Sequence, residues 1–152
     1  MYKLICDKLK DNGYSHYEIS NFSKEGYESK HNLTYWNNNN YYGFGLGASG
    51  YIDNVRYDNT RNINKYLNGE YAKESHTLDI NETIENEFIL GLRKIKGIDK
   101  ETFKNKYNID IKSIDVVNKL LKENKLLEDK KNIYINPEYI YVSNDILIEF
   151  IN

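Results

Sequence analysis

Cysteine, proline and long apolar runs are scarce in this 152-residue sequence. The scarcity of cysteine and of apolar runs excludes particular classes of protein. The single Cys6 cannot form an internal disulfide or hold a zinc ion or an iron–sulfur cluster by itself, and it is typical of a reducing compartment. No segment approaches the roughly 20 apolar residues that a membrane-spanning helix needs. The first residues, from Met1 to Lys8, mix apolar and charged side chains and lack the apolar stretch of a secretion signal. We therefore expect a cytoplasmic protein.

An excess of charge is also lacking. Lys and Arg number 21 against 23 Asp and Glu, which gives a net charge of −2. Such a chain has no global attraction for nucleic acid or for an anionic membrane. With 39% hydrophobic and 29% charged residues, it has the composition of a folded globular protein. Tyrosine is abundant at 15 residues, and rings of this amphipathic kind fill a core or line a pocket.

The first half of the chain predicts a mixture of helix, strand and loop. Residues 2–11 have the period of a short amphipathic helix, and residues 14–22 alternate as a strand does. Residues 23–47 are polar, aromatic and glycine-rich, which predicts a long ordered loop, and a β-hairpin over 50–57 and a short helix over 62–67 follow. One αβ unit cannot close a barrel. This half is therefore predicted to be the end of a larger α/β domain.

The second half predicts three helices, a hairpin and a terminal helix. Asn81 or Thr83 is expected to cap the first helix, and Ser113 is expected to cap the third. Three helices followed by a β-hairpin is the order of a winged helix. We expect an α+β chain divided into residues 1–80 and 81–152. The remaining predicted elements are the second helix at 100–107, the hairpin strands at 126–128 and 132–136, and the last helix at 143–151.

Two motifs allow a functional and a structural interpretation. Gly45 to Gly50 matches the dinucleotide fingerprint G-x-G-x-x-G, but a hairpin rather than a helix is predicted after it, which favours a tight glycine-rich turn. The third helix of the second half, together with the residues leading into and out of it (112–125), carries Lys112, Lys119, Lys122 and Lys125, which are typical of a solvated face more often than of a DNA-binding one. Nucleic-acid binding stays an unfavoured alternative.

The segment from His31 to Trp36, His-Asn-Leu-Thr-Tyr-Trp, holds the densest chemistry. An imidazole can ligate a metal, and the rings of Tyr35 and Trp36 can lie against a flat ligand. The structural alternative is a histidine hydrogen-bonded in an aromatic core, and spacing leaves both open. His16 and His76 have no partner nearby in sequence.

Several blocks of the sequence resemble one protein family in order and spacing. These blocks are Tyr17-Glu-Ile-Ser-Asn-Phe22, Gly26 with Ser29, His31-Asn-Leu-Thr-Tyr-Trp36 and Tyr42-Gly-Phe-Gly-Leu-Gly-Ala-Ser-Gly50. Together they resemble the HemW family, the radical SAM proteins related to oxygen-independent coproporphyrinogen III oxidase. The remainder, from Glu85-Asn-Glu-Phe-Ile-Leu-Gly-Leu-Arg93 onward, looks like the C-terminal domain of that family.

The resemblance implies the end of a partial radical SAM α/β barrel in residues 1–80, with its last βα elements and closing hairpin. A winged-helix-like domain in residues 81–152 follows. Members of the family open with a C-x-x-x-C-x-x-C motif that binds a 4Fe-4S cluster and S-adenosylmethionine, whereas this sequence has only Cys6, at no matching spacing. We therefore expect the C-terminal part of a longer protein, which performs no radical chemistry alone. Whether that protein is an enzyme stays open.

For the intact protein the resemblance implies heme binding and delivery, as in the HemW branch, or chemistry on a porphyrinogen, as in the oxidase. The segment H-N-x-x-Y-W marks the heme chaperones, so we expect a chaperone with heme contacts at His31, Asn32, Tyr35 and Trp36 and the iron bound by His31. The implied partners are heme or porphyrin, the missing N-terminal radical SAM domain and a heme-acceptor protein.

By the same resemblance, a short glycine-rich segment falls where the barrel closes near S-adenosylmethionine. Its residues are Gly45, Gly47, Ala48 and Ser49. A docking or nucleic-acid-binding module built on the winged helix is the alternative from another class. Cut from its barrel, the first half would expose a strand edge and apolar faces, which predicts self-association.

Overall fold

The computed structural model describes residues 1–151, so Asn152, the last residue of the predicted 81–152 domain, lies outside the described residues. Helix α1 (Tyr2–Asp11) opens the chain as predicted. The alternating segment at 14–22 is a hairpin of β1 (Ser15–Glu18) and β2 (Asn21–Ser23), not one strand. The turn between them is Ile19-Ser20, and because Ile19 continues the period-two alternation, the sequence does not reveal the turn.

A helix interrupts the long loop predicted for residues 23–47, and that prediction was wrong in this part. Helix α2 (Lys30–Trp36) begins after Ser29, whose hydroxyl accepts a hydrogen bond from the Asn32 amide at 3.3 Å. Its seven residues are too few to establish a helical period, and aromatic and polar residues form helices weakly. Contacts with the rest of the protein therefore have to stabilise α2.

A three-stranded antiparallel sheet follows α2 in the order β3-β4-β5. Strands β3 (Ser49–Ile52) and β4 (Val55–Asn59) form the predicted hairpin, and its two turn residues have positive φ angles of 48° and 65°. Helix α3 (Ile63–Leu67) also forms as predicted. Strand β5 (Ala72–Thr77) was not predicted, because all six residues are exposed and no buried face imposes an alternating pattern.

The second half begins with α4 (Ile80–Gly91), which is capped by Asp79 rather than by either residue predicted from the sequence. Asp79 accepts from the Glu82 amide at 2.9 Å, and Glu82 accepts from the Asp79 amide at 2.8 Å, so the pair is a capping box. Thr83 lies inside the first turn, where its hydroxyl donates to the Asp79 carbonyl at 2.7 Å. Helix α5 (Lys100–Tyr107) then starts at its cap, Asp99.

Helix α6 (Asp115–Lys122) has no side-chain cap, contrary to the prediction for Ser113. Ser113 belongs to a short 3-10 helix, and its hydroxyl donates to the Asp110 carbonyl at 2.7 Å. A second antiparallel sheet, of order β6-β8-β7, packs against these helices. Its strands are β6 (Ile98–Asp99), β7 (Leu126–Glu128) and β8 (Asn132–Ile135). Helix α7 (Ser143–Leu147) follows the sheet and is flanked by two 3-10 helices, Pro137–Val142 and Ile148–Phe150.

The main apolar core lies between residues 88 and 150. The Phe88 ring stacks on Phe150 at 4.4 Å between ring centroids and packs against Phe103 at 5.4 Å. By contrast, helices α1, α2 and α3 of the first half bury no residue completely. Small antiparallel sheets and separate helices make the chain an α+β fold, as predicted. Within residues 1–151 no helix is long and apolar enough to cross a membrane.

The two halves share backbone hydrogen bonds at one corner. The amide of Ile19 donates to the carbonyl of Arg93 at 3.0 Å, and the amide of Ile95 donates to the carbonyl of Tyr17 at 3.1 Å. Glu18 lies between them, 1% exposed, in a bridge with Lys94. The backbone of residues 93–95 is therefore fixed against the first hairpin, and α2 lies close to this corner.

Candidate ligand-binding site

The four predicted heme-contact residues lie on two neighbouring stripes of α2. His31 and Tyr35 are one helical turn apart, as are Asn32 and Trp36. The His31 and Tyr35 rings form a T-shaped pair, with their centroids 4.8 Å apart and their planes at 88°. His31 is exposed, whereas the indole nitrogen of Trp36 is buried. The structure brings His31 and Tyr35 together at the surface and turns Trp36 inward.

A column of tyrosine rings supports the outer stripe. Tyr35 packs edge-on against Tyr41 at 4.5 Å between centroids, and Tyr41 lies 6.4 Å from Tyr51. Tyr41 and Tyr51 also exchange both backbone hydrogen bonds, at 2.8 and 2.9 Å. Burial raises the pKa of both phenols, and the nearby Arg56 opposes that effect. The column packs Tyr35 against the His31 imidazole on one side and against Tyr41 on the other.

The three histidines differ in the freedom of their ring nitrogens. His16 stacks on Phe22, and its Nε2 lies 3.2 Å from the Tyr2 hydroxyl and 3.1 Å from a backbone carbonyl. His76 Nε2 lies 2.8 Å from a carboxylate oxygen of Glu82. Throughout the described residues, the His31 nitrogens meet no hydrogen-bond partner. His31 is thus the histidine with neither ring nitrogen engaged within the described residues, which leaves its imidazole available for an external ligand.

The inner stripe and the end of α2 contact the second half of the chain. The Arg93 guanidinium lies over the Trp36 ring, 5.3 Å from its centroid, a cation–π contact. The buried Trp36 Nε1 has no hydrogen-bond partner among the described residues. Just after the helix, Asn37 Oδ1 accepts from the Lys94 ammonium at 2.6 Å, and the carbonyl of the buried Asn38 accepts from Lys106 at 3.3 Å.

A buried carboxylate stands behind this contact. Glu87 is 6% exposed, and its Oε2 accepts from the Lys106 ammonium and from the Tyr107 hydroxyl, both at 2.7 Å. Burial, and then the Glu87 charge, raise the pKa of Tyr107 above its ordinary value. Burial also lowers the pKa of Lys94. Sequence reasoning placed Glu87 and Arg93 in a family-like block but assigned them no role, because a charge on a helix gives no signal of its burial.

The glycine-rich segment predicted near S-adenosylmethionine is a tight loop with internal hydrogen bonds. The Gly47 amide donates to the Thr60 carbonyl at 2.9 Å, and the Ala48 amide donates to Gly45 at 3.3 Å. Asn59 Nδ2 donates to the carbonyls of Gly43 and Gly45 at 3.0 and 2.9 Å. A Cβ on Gly43 would lie 2.4 Å from the Ser49 carbonyl oxygen. No helix follows, so the dinucleotide motif is structural, as the sequence favoured.

Two further predictions concern metals and nucleic acid. No three His, Cys, Asp or Glu side chains within residues 1–151 come together as a metal site, and Cys6 is a free thiol in α1. A 4Fe-4S cluster, which takes several thiolates, does not fit the residues present. On and beside α6, three lysine ammoniums each lie 2.7 Å from a carboxylate, in the pairs Lys112–Glu128, Lys119–Glu149 and Lys125–Glu123. These lysines are engaged within the protein.

Comparison with solved structures defines the class of fold. The structure is similar to coproporphyrinogen III oxidase (HemN) from Escherichia coli, described as a radical SAM enzyme, with a TM-score of 0.71 and 13% sequence identity. The match covers 98% of this chain and 39% of that chain, in its C-terminal region. The chain therefore has the fold of the C-terminal region of a HemN-type protein.

Sequence relatives define the family. The heme chaperone HemW of Lactococcus lactis subsp. lactis is 38% identical over 99% of this chain and 41% of that protein. The heme chaperone HemW of Bacillus subtilis is 35% identical over 99% of this chain and 42% of that protein. A search against models of protein families found no match. The resemblance to the HemW family is confirmed over almost the whole chain, which spans about two fifths of the length of these relatives, in their C-terminal portion.

Proposed function

We propose that this chain is the C-terminal part of a heme chaperone, in which His31 binds the heme iron. The main support is the position of His31: it is exposed at the end of a column of packed rings, and its nitrogens have no partner in residues 1–151. The same histidine begins the segment that resembles the mark of the heme chaperones, and curated relatives carry that name.

A single protein ligand suits heme better than it suits a bare metal ion. The porphyrin supplies the equatorial nitrogens, so one imidazole can complete an axial position. A bare zinc ion needs several protein ligands, and no such group forms among the described residues. In this proposal the Tyr35 ring limits rotation of the imidazole and offers an apolar edge to the porphyrin face.

The other predicted contacts divide according to the two stripes. We assign Tyr35 to direct contact with the ligand. Asn32 lies beside His31 at the start of α2 and is half-buried, where its side-chain amide can hydrogen-bond a ligand or water. Trp36 points inward under Arg93, so its ring supports the helix and offers only its outer edge to the porphyrin.

The remaining parts of the fold fit the same interpretation. We propose that residues 1–80 end a partial radical SAM barrel and that residues 81–152 form a winged-helix-like domain. The order α4, β6, α5, α6, β7, β8 and the sheet order β6-β8-β7 support the second assignment. The relatives contain more than half of their length beyond this match. That portion would hold the 4Fe-4S cluster and most of the S-adenosylmethionine site.

The glycine-rich loop keeps its predicted place near S-adenosylmethionine in this proposal. Its described amides at Gly47 and Ala48 are already bound within the protein, and the Ser49 hydroxyl donates to Asp58. The loop would therefore contribute shape rather than free donors. Bound there, S-adenosylmethionine supplies the radical chemistry of such proteins, and this chain supplies one wall.

Heme titration followed by the Soret absorbance tests the function. The wild-type chain should bind saturably, and His31→Ala should lose that binding. His76→Ala is the matched control, because His76 is also exposed but lies on β5, outside the ring column and the segment 31–36, so its removal should leave binding unchanged. Equal binding by wild type and His31→Ala, or loss of binding in His76→Ala alone, would contradict the assignment of the iron to His31.

A second candidate is the C-terminal part of an oxygen-independent coproporphyrinogen III oxidase, which the likeness to the Escherichia coli HemN structure favours. In that case residues 31–36 would shape a porphyrinogen pocket without ligating iron. An iron-free porphyrin distinguishes the two candidates: the chaperone proposal requires iron-heme to bind more tightly than the metal-free ring, by a margin that depends on His31.

The proposal includes protein partners and the reducing, cytoplasmic compartment expected from the single Cys6. Large apolar side chains lie on the surface of the first half, among them Leu4 at 59% and Phe44 at 85% exposure. We propose that the missing N-terminal portion covers part of this surface and that a heme-acceptor protein docks on the intact molecule. Without that portion the chain should self-associate. Light scattering across a concentration series measures this directly, and a monomer at every concentration would contradict it.

A further inference from the structure

The family-like block that ends at Arg93 has no role in the proposed function, yet it contacts the helix that carries His31. Helix α2 has only seven residues, and a helix of that length is unstable in water by itself. Its outer stripe rests on the tyrosine column. Its inner stripe rests on Arg93, whose guanidinium lies 5.3 Å from the centre of the Trp36 ring.

Arg93 can hold Trp36 in place because its own backbone is fixed. The Arg93 carbonyl accepts from the Ile19 amide at 3.0 Å, and the next residue forms a bridge with Glu18. No carboxylate of the described residues forms an ion pair with the Arg93 guanidinium, so its charge is directed to the ring. Lys94 adds a second contact from the same corner, 2.6 Å from Asn37 Oδ1.

We infer that Arg93 is a positioning residue for His31: through its cation–π contact with Trp36, and with Lys94 at the end of the helix, it fixes the orientation in which α2 presents the imidazole. This inference rests on the proposed function for its effect on heme. The contact itself links the two halves of the chain, so the second half would control ligand binding by the first without touching the ligand.

Heme titration of the full chain tests the inference with four proteins. Arg93→Ala should weaken heme binding roughly fivefold, the size expected for loss of one cation–π contact, and should change the Soret spectrum because the imidazole is less well oriented. Arg93→Lys keeps the cation and should recover most of the affinity. Arg61→Ala removes the same charge from an exposed arginine outside α2 and should bind like wild type.

Hydrogen exchange gives a readout that does not depend on heme. Arg93→Ala should speed exchange of the α2 amides while α5 and α6 stay protected. Arg93→Gln keeps much of the stem and loses the charge, so it provides the same test if the alanine variant does not fold. Unchanged exchange in α2 and unchanged heme affinity in these folded variants would overturn the inference. If wild type itself fails to bind heme but α2 loosens, the proposed function fails and the positioning contact stands.

Discussion

The buried carboxylate of Glu87 offers the strongest test of how helices α4 and α5 are held together behind α2. Replacing Tyr107 by Phe removes one hydrogen bond of 2.7 Å to a charged acceptor and leaves the ring packing unchanged. Such a bond contributes about 1.5–3 kcal/mol. Glu87 keeps Lys106 as a second donor, so we expect the lower end, about 1.5–2 kcal/mol, and a fall in Tm of roughly 3–8 °C for a chain of this size.

Glu87→Ala should cost more, because it leaves both donors without the carboxylate. Removing one partner from a buried ion pair costs about 3–5 kcal/mol. The Lys106 side chain is 34% exposed and regains some hydration, which places the expected loss near about 3 kcal/mol. Urea denaturation followed by circular dichroism measures both free energies of unfolding. A Tyr107→Phe variant within about 0.5 kcal/mol of wild type would refute the assignment of Glu87 as a stabilising buried acceptor.

Three other outcomes follow from the same contacts. The pKa of Tyr107 is raised in the folded protein, so the folded state keeps the phenol proton at pH values above 10.0, where the unfolded state loses it. The free energy of unfolding should therefore fall as the pH rises above 10.0. The fall should be less steep in Tyr107→Phe, which has no phenol proton. Trp36→Phe removes a buried N–H that has no partner among the described residues, so this variant should lie within about 1 kcal/mol of wild type in stability. Trp36→Ala should lose about 2–4 kcal/mol because it also removes the packing of the ring. Equal losses in thermal melts of the two variants would contradict the inward placement of the ring. Asp99 caps α5 by accepting a hydrogen bond from the Thr102 amide at 2.7 Å, and this bond lowers the pKa of the Asp99 carboxyl. Asp99→Ala should therefore cost about 1 kcal/mol of stability at neutral pH, and less as the pH falls below 3.8. Urea titrations of the variant and wild type at two pH values measure this difference.

Elements with a local signal were predictable from the sequence. The hairpin of β3 and β4 was predicted because its turn residues, Asp53 and Asn54, tolerate positive φ, and the structure gives both that conformation. Helix α5 and the hairpin of β7 and β8 carry a buried face and therefore an apolar period. Helix α2 is too short to show a period and has no fully buried residue, and strand β5 is exposed throughout. Their stability comes from partners distant in sequence, which a local pattern cannot show.

The candidate site was predictable only in part for the same reason. His31 and Tyr35 were singled out by residue type and spacing, and the structure places their rings in contact. Arg93 and Glu87 lie more than fifty positions further along the chain, and only the folded backbone brings them behind α2. The inward turn of Trp36 follows from the helical rotation between neighbouring stripes. That rotation could not be assigned while residues 23–47 were predicted to be a loop.

Imidazole rescue tests whether His31 ligates the heme iron. In His31→Gly the side chain is absent, and free imidazole can take its place on the iron of heme held by the protein. We expect heme to co-elute with the wild-type chain in gel filtration and not to co-elute with His31→Gly alone. When imidazole is present, heme should again co-elute with His31→Gly, and the Soret spectrum should match that of wild type. Retention of heme by His31→Gly without imidazole, with an unchanged spectrum, would contradict ligation of the iron by His31.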